Sequence, residues 1–206
     1  AMLAYPLSRP NYKYKKIATF FIFFTMLFSG GLIPTYIWIT RYLHLGDTIW
    51  VYILPCLVNA FHVIVIRSFF QGLPQALMES AKIDGASELQ TFFKIVMPLS
   101  KPVIATISLL TLLSRWNDWN TALIYIKSSN LYSLQYLLQK ILREAEFVKN
   151  MAESSPVAGV DLDLSNLPSV TIRFAMCMVA AGPMLIIFPF FQKYFAKGLT
   201  VGAVKG

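Results

Sequence analysis

Charge, cysteine and histidine are all scarce in this 206-residue chain. Only 14% of its residues are charged, against about 25% in ordinary soluble domains. The two cysteines, Cys56 and Cys177, each fall inside an apolar run, where they read as small buried apolar residues. His44 and His62 stand apart from each other and from any cysteine pair, so no metal-ligand spacing exists. A glycine-rich phosphate loop ending in Lys-Ser/Thr is missing, so nucleotide chemistry is not expected in this chain. No catalytic pair stands at a suitable spacing, which argues against an enzyme embedded in a membrane. The opening Ala-Met-Leu-Ala-Tyr-Pro-Leu lacks a basic region followed by an apolar core, so no cleavable signal peptide is expected. Internal repeats and low-complexity tracts are absent as well.

Long uncharged runs are what the chain has instead. Hydrophobic residues make up 56% of it, above the usual range of about 45–50%. Ile17–Thr40 is 24 residues without a charge, and Thr48–Ile66 is another 19. A helix needs roughly 20 such residues to cross the hydrocarbon core. Pro102–Ser114 resumes as Thr121–Ile126 after a polar interruption, and Val170–Phe191 carries only Arg173, read as an interfacial side chain. The expected fold is an all-α integral membrane protein with spans near 17–40, 48–66, 102–126 and 170–191, forming one transmembrane domain over 1–206.

The net charge of +8 is distributed as an orientation signal. Cytoplasmic loops of membrane proteins collect Lys and Arg. Arg9, Lys13, Lys15 and Lys16 precede the first span. Arg67, Lys82, Lys94 and Lys101 lie between the second and third, and Lys193, Lys197 and Lys205 follow the fourth. The opposite side holds five basic residues facing six acids. Both ends and the loop 67–101 are therefore expected in the cytoplasm, and nucleic acid is not an expected partner.

The spans and loops carry their own signals. Ser29-Gly30-Gly31 and Pro34 predict a kink or close helix contact in the first span. The second carries Pro55 and, in Asn59 and His62, polar groups expected to face protein, bonded locally or facing a ligand. Within 67–101, Pro74 suits a helix start, Leu77 and Ala81 follow at helical spacing, and Gly85 ends the helix. A second helical stretch carries Leu89, Phe92, Phe93, Val96 and Met97 before Pro98. Two short cytoplasmic helices bent at Asp84-Gly85 are expected, with Phe92, Phe93 and Ile95 anchoring the second. On the external side, 128–168 reads as an amphipathic helix, with Leu134, Leu137, Leu138 and Ile141 at helical spacing, then a polar loop from Asn150.

The cytoplasmic loop reads Glu79-Ser80-Ala81-Lys82-Ile83-Asp84-Gly85, nine residues, then Ile95-Val96-Met97-Pro98. This resembles the Glu-Ala-Ala, three residues, Gly, nine residues, Ile, any residue, Leu-Pro motif of ABC importer permeases. Glu79, Ala81, Gly85, Ile95 and Pro98 match residue for residue, while Ser80 and Met97 depart mildly. Asp84-Gly85-Ala86, Phe92, Ile95, Pro98 and Pro102 look like the branch that imports sugars and oligosaccharides. The ending Lys197–Gly206 is similar to its maltose-type members, and Gly30–Tyr36 to its polysaccharide-uptake members. The resemblance implies a type I ABC importer permease bundle. Such bundles have six spans, two of them preceding those visible here, with Ala4–Arg9 similar to the exit of the second. It further implies ATPase coupling through Glu79, Ser80, Ala81, Asp84, Gly85, Ala86, Phe92, Ile95 and Pro98.

A second constellation, Arg115-Trp116-Asn117-Asp118-Trp119-Asn120, stands at the outer end of the third span. Ionisable groups at such depth face a cavity or a partner. Arg115 and Asp118 are three apart and able to neutralise each other, with Trp116, Trp119 and Asn120 sharing another face. Aromatic rings beside amides suit a sugar, making Trp116, Asn117, Asp118, Trp119 and Asn120 candidates for the substrate path. Two other readings stay open: tryptophan is enriched at membrane interfaces, and the Arg–Asp pair also suits a purely bundle-holding role. The resemblance implies a second homologous permease, two ATPase subunits, an extracellular solute-binding protein and membrane lipid as partners. It implies no cofactor in this subunit, with ATP and Mg in the ATPase subunits, and a multi-pass place in the bacterial plasma membrane. The same architecture with a non-sugar cargo, or a stand-alone channel or secondary transporter, are the competing expectations.

Overall fold

A computed structural model describes residues 1–154 and 169–203. The expected external loop over 155–168 and the last tail residues, including Lys205 and Gly206, lie outside the described residues, as does the Arg173 side chain. Among the described residues the chain is helical and contains no strand. It divides into two compact units: Ala1–Thr35, Ile53–Leu112 and Phe191–Gly206 form the first, Tyr36–Tyr52 and Leu113–Phe190 the second.

The first unit is built around α1 (Ala4–Ser8), α2 (Lys15–Leu27), α5 (Ala60–Gln71), α6 (Gln75–Ile83) and α7 (Glu88–Thr91). Asn59 starts α5: its backbone is extended and its side chain accepts a bond from the His62 amide at 3.1 Å. Val63, Ile66 and Phe70 then fall on one stripe of α5. They pack with Ala4, Tyr5 and Leu7 of α1, Met78 of α6, and Phe92, Val96 and Val103. Burying a side chain of this size stabilises by about 1.5–3 kcal/mol. Helix α2 buries none of its residues, so its phenylalanines form an apolar outer surface suited to lipid or another membrane chain. It stops at Leu27, and Gly31 adopts φ +87° before α3 (Leu32–Ile37) begins. The run 17–40 is thus broken rather than one continuous helix.

Helix α4 (Trp50–Ile53) begins in the second unit and is followed by a tight turn over Leu54–Cys56. The second unit's small core joins Ile39, Val51 and Ile126, with Tyr52, Tyr125 and Tyr132 packed around it. It also holds α10 (Asn120–Tyr125), α11 (Leu134–Ser154) and the start of α12 (Ser169–Ala203). Helix α11 starts at Leu134, after a tight turn over Ser129–Leu131, and runs on through Asn150 to Ser154. The expected polar loop therefore begins later than composition suggests, because Asn and Ser are tolerated in the last turns of an amphipathic helix.

Phe174–Gln192 within α12 is long and apolar enough to cross a membrane alone, with mean hydropathy 2.1. Pro183 and Pro189 lie inside α12, as membrane helices tolerate. Three bent pairs qualify when each is taken as one broken span: Lys15–Leu27 with Leu32–Tyr42, Trp50–Cys56 with Ala60–Gln71, and Glu88–Leu99 with Lys101–Trp116. Cys56 is half-buried and Cys177 exposed, contrary to the expected burial. An apolar residue on a membrane helix needs no protein cover, because lipid replaces it.

Candidate functional site

The loop between α5 and α9 (Lys101–Trp116) is held by its own backbone chemistry. Pro74, at φ −58° and ψ 123°, leads into α6. Met78 and Ala81 point inward, at 6% and 5% exposure, while Glu79, Ser80 and Lys82 are exposed and Ile83 is 86% exposed. The helix ends in a Schellman turn. The Gly85 amide donates to the Lys82 carbonyl at 3.1 Å and the Ala86 amide to the Ala81 carbonyl at 2.9 Å. Gly85 makes this turn at φ +73°, and exposed Asp84 closes the helix before it. Ser87 then opens α7 with a capping box. Its hydroxyl accepts from the Gln90 amide at 3.3 Å, and its own amide donates to Gln90 Oε1 at 2.9 Å. A helix stop and a helix start therefore lock four consecutive residues.

Beyond α7 the helix widens into a π turn over Phe92–Val96 and continues as α8 (Met97–Leu99). Phe92 and Val96 are 3% and 1% exposed and fix this stretch to the core. Ile95 and Ala86 are half-buried and Pro98 exposed. Phe93 is 52% exposed, so it does not anchor the stretch. The four-residue spacing of Phe92 and Val96 turns Phe93 outward.

A polar cluster that sequence spacing could not reveal ties this loop to α1. The Tyr5 hydroxyl donates to Glu88 Oε2 at 2.8 Å, Lys82 Nζ stands 3.3 Å from Glu88 Oε1, and Arg9 donates to the Tyr5 hydroxyl. The Tyr5 hydrogen bond, followed by that of Lys82, holds the Glu88 carboxyl below its ordinary value near 4.5. Its contribution is therefore complete above that ordinary value and is lost as pH falls through the lower, folded one. The signal available in the sequence was only that both partners lie in segments expected on the same side of the membrane.

The second constellation does not form one helical face. Helix α9 ends at Trp116, and Trp119 precedes α10, so Trp116 and Trp119 sit on different elements. Asp118 is committed to local work. Its carboxylate accepts from the Thr121 amide at 3.0 Å, the Thr121 hydroxyl at 2.7 Å and Arg115 at 3.0 Å. Trp116 Nε1 donates to the Ala180 carbonyl at 2.9 Å, and the Arg143 guanidinium lies 5.4 Å from the Trp119 ring. Asn117 donates to the Leu113 carbonyl at 2.9 Å, and both Asn117 and Asn120 are exposed.

A helical membrane chain carrying a rigid, partly exposed loop helix has direct counterparts among known proteins. Residues 1–201 match the family described as "Binding-protein-dependent transport system inner membrane component", and the chain belongs to that family. It is a transport component of ABC importers, not an enzyme. It is 42% identical over its whole length to the Bacillus subtilis (strain 168) "Polygalacturonan/rhamnogalacturonan transport system permease protein YtcP", of which it spans 70%. It is also 42% identical to "Protein LplC" of the same organism, over 99% of this chain and 66% of that one. Among solved structures, a "bacterial ABC transporter involved in the import of the acidic polysaccharide alginate" matches with a TM-score of 0.77 and 30% identity. That match covers 93% of this chain and 66% of the other. The chain thus spans about two thirds of the length of these relatives.

Proposed function

We propose that this chain is one of two permease subunits of an importer for sugars or oligosaccharides, driven by two separate ATPase subunits docked on the stretch 74–98. The observation that carries the reading is the build of α6. One side, Met78 and Ala81, is buried; the other presents Glu79, Ser80, Ile83 and Asp84, and the Schellman turn and capping box prevent the end from fraying. A loop that flexes cannot transmit the roughly 5.5 kcal/mol of differential binding needed to drive a two-state equilibrium from 1:99 to 99:1. A locked helix can. Glu79 and Asp84 supply fixed negative charge for basic groups of the ATPase, where ATP and Mg are handled. Both ends of this chain and the α6 loop face the cytoplasm, while the amphipathic α11 offers part of a surface for an extracellular solute-binding protein. Asn117, Asn120 and Trp119 are the path candidates still open to a hydroxylated cargo, because the Trp116 Nε1 is engaged with Ala180 and the Asp118 carboxylate with Thr121 and Arg115.

Glu79→Lys is expected to abolish co-purification of the ATPase subunits while the permease still inserts and folds. Full association and transport in that variant would sink the docking reading. Uptake into proteoliposomes is expected for galacturonate-, alginate- or arabinose-derived oligosaccharides and not for glycerol phosphodiesters. Uptake that persists with the ATPase subunits omitted would instead identify a channel or secondary transporter.

A further inference from the structure

We propose that Tyr5 and Glu88 form a positioning relay that carries displacement of α6 into α1 and α5, an inference that rests on α6 being the ATPase-docking helix. Glu88 faces two ways. One oxygen meets Lys82 on α6, and the other accepts from the Tyr5 hydroxyl on α1. The Tyr5 ring packs edge-on against Phe70 of α5, with centroids 6.4 Å apart, and lies 5.0 Å from Phe92. Arg9 closes the circuit. Its guanidinium stacks 4.4 Å from the Tyr5 ring and reaches Met78 Sδ on α6 at 3.4 Å. Helix α1 is in turn tied to α5, where Arg67 Nε donates to the Leu7 carbonyl at 3.2 Å.

The relay has two available arrangements. Arg9 Nε is buried without a hydrogen-bond partner, and Glu88 Oε2 stands 3.9 Å from it, beyond hydrogen-bond reach. A shift of the α6–α7 turn by about an ångström brings that oxygen onto Nε. The Tyr5-mediated bond is then exchanged for a direct charge-assisted pair. A signal between distant elements requires such a discrete alternative, biased from both ends. The second arrangement satisfies a donor that the first leaves buried and unpaired, which offsets the loss of the Tyr5 bond.

The test is amide hydrogen exchange on the assembled importer, with and without MgATP and vanadate, for the wild type, Tyr5→Phe, Glu88→Gln and the double variant. In the wild type, nucleotide is expected to change exchange both in 75–83 and in 4–9. In each variant the response in 75–83 persists and that in 4–9 falls about fivefold, with the double variant no worse than either single one because the pair acts as a unit. A merely structural role raises exchange in 4–9 equally with and without nucleotide, leaving the difference intact. A wild-type-sized response in the variants, or additive losses in the double variant, overturns the relay. If 75–83 responds in the wild type and 4–9 does not, the relay alone fails; if 75–83 itself is silent, the docking reading fails and takes the relay with it. Should Tyr5→Phe assemble poorly, Glu88→Gln alone decides.

Discussion

Two residues show how much a single backbone or carboxylate position decides here. Gly85 sits at φ +73° in open space, with nothing within 4 Å of where a Cβ would be, so its conformation rather than crowding excludes other residues. Gly85→Ala is expected to cost roughly 1–2 kcal/mol and to lower transport per assembled complex, while Gly85→Asn, which tolerates the left-handed region, keeps most of it. Equal transport in all three proteins would show that the turn needs no glycine. Between α3 and α4, Asp47 closes a loop no spacing rule predicts. Its carboxylate accepts from the Lys127 amide at 2.9 Å and the Ser128 amide at 2.8 Å, with the Ser128 hydroxyl at 2.6 Å. The Ser128 hydroxyl, then the two amides, hold its pKa below 3.8. A depressed folded value means that the stabilisation is full above the ordinary pKa and disappears as pH falls through the folded one. Thermal unfolding in detergent is expected to show that acid loss in the wild type and not in Asp47→Ala. The Gly85 position was readable from one residue type, whereas Asp47 lies 80 and 81 positions from Lys127 and Ser128.

At the scale of elements, the α6–α7 junction matters more than either helix. Helix α6 has nine residues and α7 four, both too short to persist in water alone. Their order comes from the Schellman turn, the capping box and the anchors Phe92 and Val96. Ser87→Ala is expected to cost about 0.5–2 kcal/mol and to speed exchange of the Gln90 amide while leaving α5 unchanged. Unaltered exchange there would mean that the cap is redundant with packing. The Ser87-x-x-Gln90 spacing is a capping signature that the reading of the sequence overlooked, though it was legible there. The π turn over Phe92–Val96 was not, because nothing in the local pattern distinguishes i→i+5 bonding from an ordinary helix; packing of Phe92 and Val96 into the core selects it.

For the whole molecule, charge placement predicts sidedness and the fold gives positions at which to read it. Ile83, 86% exposed, and Phe147, 63% exposed, lie on the two sides expected to be opposite. In a background without Cys56 and Cys177, Ile83→Cys is expected to react with a membrane-impermeant thiol reagent only from the cytoplasmic face, and Phe147→Cys only from outside. The reverse pattern would invert the orientation drawn from the basic loops.

The sequence by itself determined the helical membrane class, the position of the family's loop motif and the glycine at its bend. Each follows from composition, period or a residue type within one short window. Only the tertiary structure decided that Phe92 anchors and Phe93 does not, and that Trp116 ends α9 while Trp119 stands before α10. It alone tied Tyr5 and Glu88 together across 83 positions. Uncharged runs and caps are local properties of the chain. The face a residue presents and the partner it meets depend on where separate helices cross, and no spacing along one strand of sequence encodes that.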